Sequence, residues 1–132
     1  MRDDGLWHPR LLHLIASLGH GDLLVVADAG LPVPPGVETV DLLWQRGEPR
    51  FLPVLAAVLG ELVVEQATVA HEVTDPLLLA GFARQFTALG ADRVERVPHE
   101  RLKDLTRHAR VVVRTGEATP YANAVLRAGV PF

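Results

Sequence analysis

The stretch "LGHGDLLVVADAGLPVP", residues 18–34, contains the clearest fold signal in the chain. Its five central residues, Leu23–Ala27, form an uninterrupted apolar run with turn residues on both sides. Such a run is typical of a strand that is covered on both faces of a sheet. His20 and Asp22 precede the run and Asp28 follows it. The stretch therefore predicts a buried strand with ionisable side chains near each end.

The remainder of the chain alternates predicted strands with predicted helices. Apolar runs predict further strands at Val37–Leu43, Leu62–Ala70, Arg93–Val97 and Arg110–Arg114. Periodic apolar residues and capping signals predict helices at Leu11–Leu18, Phe51–Leu59, Leu77–Leu89 and His99–His108, and a last helix from Thr119-Pro120 to Gly129. This alternation is typical of βαβ units. We therefore expect the α/β class, with a mixed, largely parallel sheet between helical layers.

Length and composition limit the organisation of the chain. With 132 residues, of which 48% are hydrophobic, it has room for one packed core and not for two. We therefore expect a single domain over residues 1–132. The mean hydropathy of +0.19 is slightly high for a small monomer, which favours burial of one face in a homo-oligomer.

Charge and cysteine content argue against several classes of function. The net charge of −3, with no basic run longer than two residues, speaks against nucleic acid and anionic membranes as partners. Zero cysteines rule out a disulfide framework, a thiolate zinc site and a cysteine nucleophile. No signal-like segment opens the chain, and no apolar stretch approaches the ~20 residues of a membrane span. The expected location is the cytoplasm.

His20 and Asp28 each have two interpretations. His20 follows a helix stop at Leu18-Gly19, so it can cap that helix; alternatively, the histidine pKa of about 6.5 suits it to proton transfer. Asp28 follows a strand, where ligands of α/β proteins gather; alternatively, its carboxylate holds the Ala29-Gly30 bend. The residue pattern alone leaves both pairs of interpretations open.

The motif "GEATPYAN", residues 116–123, follows a predicted strand. Tyr121, the only tyrosine, and Asn123 supply a hydroxyl and an amide, which suit an uncharged polyhydroxy ligand, although Tyr121 can also simply pack at the surface. His99 stands at the start of a predicted helix, where it is either exposed or available to a ligand. The single glycine with no following lysine is not a phosphate-binding loop.

No other catalytic pattern is present. The histidines lack the spacing of a metal site, and the chain shows no nucleophile elbow and no close carboxylate pair. We therefore expect no metal and no cofactor. The chemistry that remains is acid–base catalysis on something small and neutral.

Four segments together resemble the D-ribose pyranase and fucose mutarotase family. They are "LGHGDLLVVADAGLPVP", "GEPRFLPVL", "VPHERLKDL" and "RTGEATPYANAVLRAGVPF", and the likeness extends from about Leu11 to Phe132. The Asp-Ala-Gly-Leu-Pro and Pro-Tyr-Ala-Asn motifs are similar to the ribose branch. Gly21 is also seen in the fucose branch, so L-fucose stays open as an alternative substrate.

The resemblance implies a cofactor-free α/β/α subunit that assembles into pentameric rings paired as a decamer. It implies interconversion of the pyranose and furanose forms of D-ribose, with His20 as the proton donor. It further implies that Asp28, His99, Tyr121 and Asn123 contact the sugar. A sugar-binding module without catalysis and a purely structural ring subunit remain as alternatives of other classes.

The opening stretch adds a geometric constraint on this site. If Asp22 to Asp28 is extended, His20 and Asp28 lie roughly 20 Å apart, too far to contact one five-carbon sugar. Either the chain doubles back around a shorter strand, or His20 meets Asp28 of a neighbouring subunit. We favour the second arrangement, because ring assembly is implied and the chain is rich in apolar residues.

Overall fold

The computed structural model describes residues 1–132, which form four α-helices and six strands. The helices are α1 (Pro9–Ser17), α2 (Phe51–Glu61), α3 (Pro76–Gln85) and α4 (His99–Thr106). The strands are β1 (Leu23–Ala27), β2 (Glu38–Asp41), β3 (Val64–Ala70), β4 (Val94–Val97), β5 (Ala109–Arg114) and β6 (Ala124–Ala128).

All six strands belong to one sheet, in the order β2-β5-β1-β6-β3-β4. β6 runs antiparallel to both of its neighbours, β1 and β3, and the other three pairings are parallel. The first five strands therefore end at one edge of the sheet, which we call the carboxyl edge, and begin at the opposite, amino edge. The prediction of an α/β fold with a mixed, largely parallel sheet is confirmed.

The apolar run of the opening stretch is the centre of the core. All five residues of β1 are buried, because β5 and β6 flank the strand and both faces of the sheet are covered. Helix α2 packs against β1 and α3, whereas α4 packs against β3, β5 and β6. Each fully buried Leu or Val side chain contributes about 1.5–3 kcal/mol to folding. Burial of β1 therefore fixes the positions of the residues at both of its ends.

Helix α3 begins as its sequence predicts and ends earlier. The Asp75 carboxylate accepts the Leu78 N–H at 2.9 Å, and Pro76 occupies the first helical position. The predicted end at Leu89 is wrong, because the helix closes at Gln85 and residues 86–89 continue as turns. Gly90, with φ of +91°, then leads into a short 3-10 helix, Ala91–Arg93, that precedes β4.

The predicted last helix is wrong. Residues 119–121 form a turn in which Tyr121 has φ of +65°, and Ala124–Ala128 is strand β6. A short apolar run fits a helix or a buried strand equally well by periodicity alone. Pairing decides the outcome, since β6 fills the place between β1 and β3 and bonds to both.

Candidate active site at the carboxyl edge

Asp28 and Asn123 form a reciprocal contact where β1 ends and β6 begins. The Asp28 N–H donates to Asn123 Oδ1 at 2.8 Å, and Asn123 Nδ2 donates to Asp28 Oδ2 at 3.1 Å. Asp28 Oδ1 also accepts the Gly30 N–H at 3.0 Å, so the carboxylate does hold the bend that follows it. Its remaining lone pairs can accept hydrogen bonds from ligand hydroxyls.

His99 and Tyr121 lie beside each other at the same edge. Their ring centroids are 5.1 Å apart in an edge-on arrangement. The Tyr121 carbonyl accepts the Asn123 N–H at 2.9 Å, which ties this pair to the Asp28–Asn123 contact. His99 Nδ1 is buried and has no partner within the chain. The edge therefore combines a carboxylate, an amide, a phenol and an imidazole, four groups able to bind neutral hydroxyls.

Glu117, which the sequence reasoning missed, organises the loop that carries Tyr121. Its buried carboxylate accepts hydrogen bonds from Arg50 Nε at 3.0 Å and from the Phe51 N–H at 3.1 Å. Its other oxygen accepts from the N–H and hydroxyl of Thr119. Burial alone would raise the pKa of Glu117, but these hydrogen bonds outweigh it and hold the pKa below its ordinary value. Its only sequence signal was its position inside the 116–123 motif.

Glu72, also missed, positions the start of α4. Both of its carboxylate oxygens are 3.0 Å from the His99 N–H, which lowers the pKa of the Glu72 carboxyl. Glu72 lies two residues after the end of β3 and His99 two residues after the end of β4, so the parallel pairing of these strands brings them together. Because Glu72 and His99 are 27 positions apart in the sequence, no short sequence motif predicts this contact.

His20 lies at the amino edge, away from the other four candidate residues. Its Nε2 is 2.8 Å from Oε2 of Glu65 on β3, and its side chain is 62% exposed. The interpretation of His20 as a helix cap is wrong, because Leu18 is the cap residue and its N–H donates to the Ile15 carbonyl. The alternative in which the chain doubles back is also wrong, because β1 is extended throughout.

The length of β1 thus separates His20 from Asp28. Five extended residues span roughly 16 Å, so one chain cannot bring both side chains to the same small molecule. No group of three His, Cys, Asp or Glu side chains comes close enough together to hold a metal ion. None of the helices is long and apolar enough to span a membrane.

Similar proteins match the chain over its full length. A D-ribose pyranase 1 of Rubrobacter xylanophilus is 50% identical over 135 residues, covering all of both chains. The structure of Bacillus subtilis RbsD complexed with D-ribose superposes with a TM-score of 0.92 at 40% identity, again covering both chains fully. The fucose mutarotase of Streptococcus pneumoniae, in complex with L-fucose, has a TM-score of 0.80 at 21% identity over 95% of this chain and 94% of its own, which shows a shared fold.

A model of a protein family also matches the sequence of this chain. It matches residues 1–131, which include the whole sheet and every residue of the carboxyl edge described above. The chain belongs to the RbsD / FucU transport protein family.

Proposed function

We propose that this protein is a D-ribose pyranase, an isomerase that interconverts the β-pyranose and β-furanose forms of D-ribose. The observation that carries the proposal is the Asp28–Asn123 contact beside His99 and Tyr121 at the carboxyl edge. These groups match a neutral polyhydroxy ligand in hydrogen-bonding capacity. The relative solved with D-ribose, 40% identical over its full length, supports the same substrate.

The reaction needs one acid and one base. The anomeric hydroxyl loses a proton, the ring oxygen gains one, and the bond between C1 and the ring oxygen breaks to give the open-chain aldehyde. A different hydroxyl then attacks C1 and closes the furanose ring, with the same two proton transfers in reverse. General acid–base catalysis contributes about 10²–10⁴-fold, which suffices for a ring that already opens spontaneously. No cofactor enters this balance.

We take residues 1–132 as one pyranase-like domain. Its candidate site residues have the following roles in these steps. His20 donates the proton to the ring oxygen, and Asp28 orients the sugar by accepting hydrogen bonds. Tyr121 and Asn123 hold the remaining hydroxyls. His99, whose Nδ1 is buried without a partner, acts as a second proton carrier.

The assignment requires two subunits for each site. His20 and Asp28 stand at opposite edges of one sheet, so His20 of one subunit completes the carboxyl edge of its neighbour. We propose pentameric rings paired as a homodecamer. Large apolar side chains support burial between subunits: Trp44 is 72% exposed and Leu77 is 79% exposed in the single chain.

Saturation-transfer NMR on D-ribose and L-fucose side by side tests the proposed function. We expect catalytic amounts of protein to accelerate exchange between the pyranose and furanose forms of ribose more than anomer exchange of fucose. Faster exchange of fucose would assign the activity to the other branch of the family. Binding of ribose with exchange at the buffer rate would make the protein a non-catalytic sugar-binding module.

We also propose a cytoplasmic location. The full-length similarity to relatives named D-ribose pyranase, which are enzymes of sugar metabolism, supports that location. Cell fractionation with an antibody to the protein tests it, and recovery of the protein outside the cytoplasmic fraction would contradict it.

A further inference from the structure

The amino edge of the sheet is built around the turn 19–22, which carries His20. Gly21, with φ of +86°, donates its N–H to the Ala128 carbonyl at 2.8 Å, and the Ala128 N–H donates to the Asp22 carbonyl at 2.8 Å. The Asp22 carboxylate accepts the Gly19 N–H at 2.8 Å. The backbone of the turn is therefore held against the end of β6.

Two irregularities in strand pairing lie at this same edge. Between β3 and β6, Val64 pairs with Ala128 and Gln66 pairs with Arg127, so Glu65 is the additional residue of a bulge. Between β1 and β5, the register shift leaves Arg110 as the additional residue. Bulges redirect side chains at the ends of strands. Here each one directs a charged side chain at the turn 19–22.

The two redirected side chains have different partners in the turn. Arg110 Nη1 lies 3.0 Å from Asp22 Oδ2, so Asp22 is already engaged by a cation and by a backbone N–H. Glu65 Oε2 lies 2.8 Å from His20 Nε2. Among the charged groups around the turn, Glu65 is thus the carboxylate available to the imidazole. Asp92, Arg93 and Arg127 line the open surface beside it.

Gly129 allows Glu65 to take this position. A methyl group on Gly129 would lie 3.2 Å from the Glu65 Cβ and 3.5 Å from the Glu65 backbone N. The distance to Cβ is shorter than an ordinary van der Waals contact. The Gly129 N–H also donates to the Val63 carbonyl at 2.8 Å. The end of β6 and the bulge of β3 are therefore fitted closely to each other, and the direction of Glu65 is set by the backbone on both sides.

We infer that Glu65 is a positioning residue for His20, and that Nδ1 is the imidazole nitrogen that exchanges a proton with the sugar. An ionised carboxylate only accepts hydrogen bonds, so the Nε2 that faces Glu65 carries the hydrogen of this contact. A fixed Nε2–H leaves Nδ1 as the nitrogen that takes up and releases a proton. The inference rests on the proposed function, in which His20 is the proton donor.

Two variants of Glu65 and one control test the inference. Glu65→Ala removes the acceptor, whereas Glu65→Gln keeps one amide oxygen in its place. Glu95→Ala is the matched control, because Glu95 is an exposed residue on the neighbouring strand β4 and its carboxylate accepts a hydrogen bond from Gln66 Nε2 at 3.5 Å and none from His20. Thermal unfolding of all three establishes that each variant is folded before activity is compared.

The first measurement is ¹⁵N NMR of the His20 ring in the full protein, assigned by comparison with His20→Ala. We expect the parent to show a single neutral tautomer with hydrogen on Nε2, and Glu65→Ala to show a mixture. Glu65→Gln should lie between them, and the Glu95→Ala control should match the parent. Ring shifts in Glu65→Ala identical to those of the parent would overturn the inference. This result does not depend on activity, so it remains informative if the proposed function fails.

The second measurement is ribose ring exchange at saturating and limiting sugar. We expect kcat of Glu65→Ala to fall about tenfold with KM within about twofold, since the residue orients the proton carrier and does not bind sugar. Glu65→Gln should recover part of that loss. An increase in KM at unchanged kcat would show that Glu65 serves binding, and would overturn the inference. No ring exchange in the parent protein would instead contradict the proposed function.

Discussion

At the scale of single residues, Asp28 and Glu117 show two uses of a carboxylate at one edge of the sheet. Asp28 is partly exposed and keeps lone pairs free beyond its contacts with Gly30 and Asn123. Glu117 is buried, and protein donors on four residues engage its two oxygens. We therefore expect substitution of Asp28 to affect sugar binding, and substitution of Glu117 to affect the stability of the loop.

Replacement of His20 by Ala tests the proton donor directly. We expect ribose ring exchange, measured by saturation-transfer NMR, to fall by about 10²–10⁴-fold, which is the usual contribution of general acid–base catalysis. His108→Ala is the control, because His108 is an exposed histidine in the turn after α4. Exchange by His20→Ala at the parent rate would contradict the assignment.

Glu117→Gln tests the buried carboxylate through stability. Its lowered pKa means that ionised Glu117 contributes stability above its ordinary pKa of 4.5, and that this contribution is lost as pH falls through the lowered pKa of the folded state. At neutral pH we expect urea unfolding to show a loss of about 1–3 kcal/mol, because donors of Arg50 and Thr119 lose a charged acceptor.

The difference in unfolding free energy between the parent and Glu117→Gln should therefore shrink below pH 4.5. A difference that stays constant from neutral to strongly acidic pH would show that the charge of Glu117 contributes nothing, and that the variant acts through packing alone.

At the scale of elements, the segments that follow β1 and β5 and precede α2 form one hydrogen-bonded unit. The Thr115 hydroxyl donates to the Ala27 carbonyl at 2.7 Å, and the Ala29 N–H donates to the Glu117 carbonyl at 2.9 Å. The Gly116 carbonyl accepts the Gly47 N–H, and the Gly116 N–H donates to the Pro49 carbonyl. Tyr121, in the left-handed region with φ of +65°, is held at the end of this unit. Such conformations persist where the surroundings determine them and cluster at functional sites.

Gly116→Ala tests how closely these segments are packed. A methyl group at Gly116 would overlap the backbone of Glu48, which cannot move away as a flexible side chain could. We expect a loss of about 1–3 kcal/mol in urea unfolding and weaker ribose binding, since the loop to Tyr121 must shift.

Gly60→Ala provides the comparison for the same substitution. Gly60 lies within α2, and no atom beyond its chain neighbours and the backbone of its own helix lies within 4 Å of an added methyl group. We expect this variant to gain about 0.5–1 kcal/mol, because alanine restricts the unfolded chain and favours the helix. Equal effects at Gly116 and Gly60 would contradict the close packing at Gly116.

At the scale of the whole molecule, the sheet determines how a site can be assembled. β1 carries the turn with His20 at the amino edge and Asp28 at the carboxyl edge. A buried, extended central strand cannot shorten or bend to bring its own ends together. If both residues act on one sugar, the site must therefore be shared between subunits, as we propose.

Mixed oligomers test this sharing. His20→Ala subunits and Asp28→Ala subunits alone should each exchange ribose ring forms far more slowly than the parent, yet co-expressed and confirmed mixed oligomers should regain about one quarter of the parent rate. This fraction follows because random assembly at equal amounts pairs an intact His20 with an intact Asp28 in about one quarter of shared sites. Mixed oligomers with no activity would contradict a shared site.

The local sequence determined most of the elements and the candidate groups. The uninterrupted apolar run Leu23–Ala27 predicts a strand that is buried on both faces. Asp75-Pro76 starts a helix, because the Asp75 carboxylate accepts the N–H of Leu78, three residues further along the chain. The candidate site residues Asp28, Tyr121 and Asn123 stood in motifs beside such elements. These features depend on neighbours along the chain, so they can be predicted without knowing the fold.

Only the tertiary structure decided the features that depend on residues distant in sequence. Ala124–Ala128 is a strand and not a helix because β1 and β3 leave a place between them. Glu65, Glu72 and Glu117 have as partners His20, His99 and Arg50, and only the folded chain revealed these pairs. The separation of His20 from Asp28 has the same origin. The hydrogen-bonding capacity of a side chain is local, whereas its partner is set by the pairing of strands across the sheet.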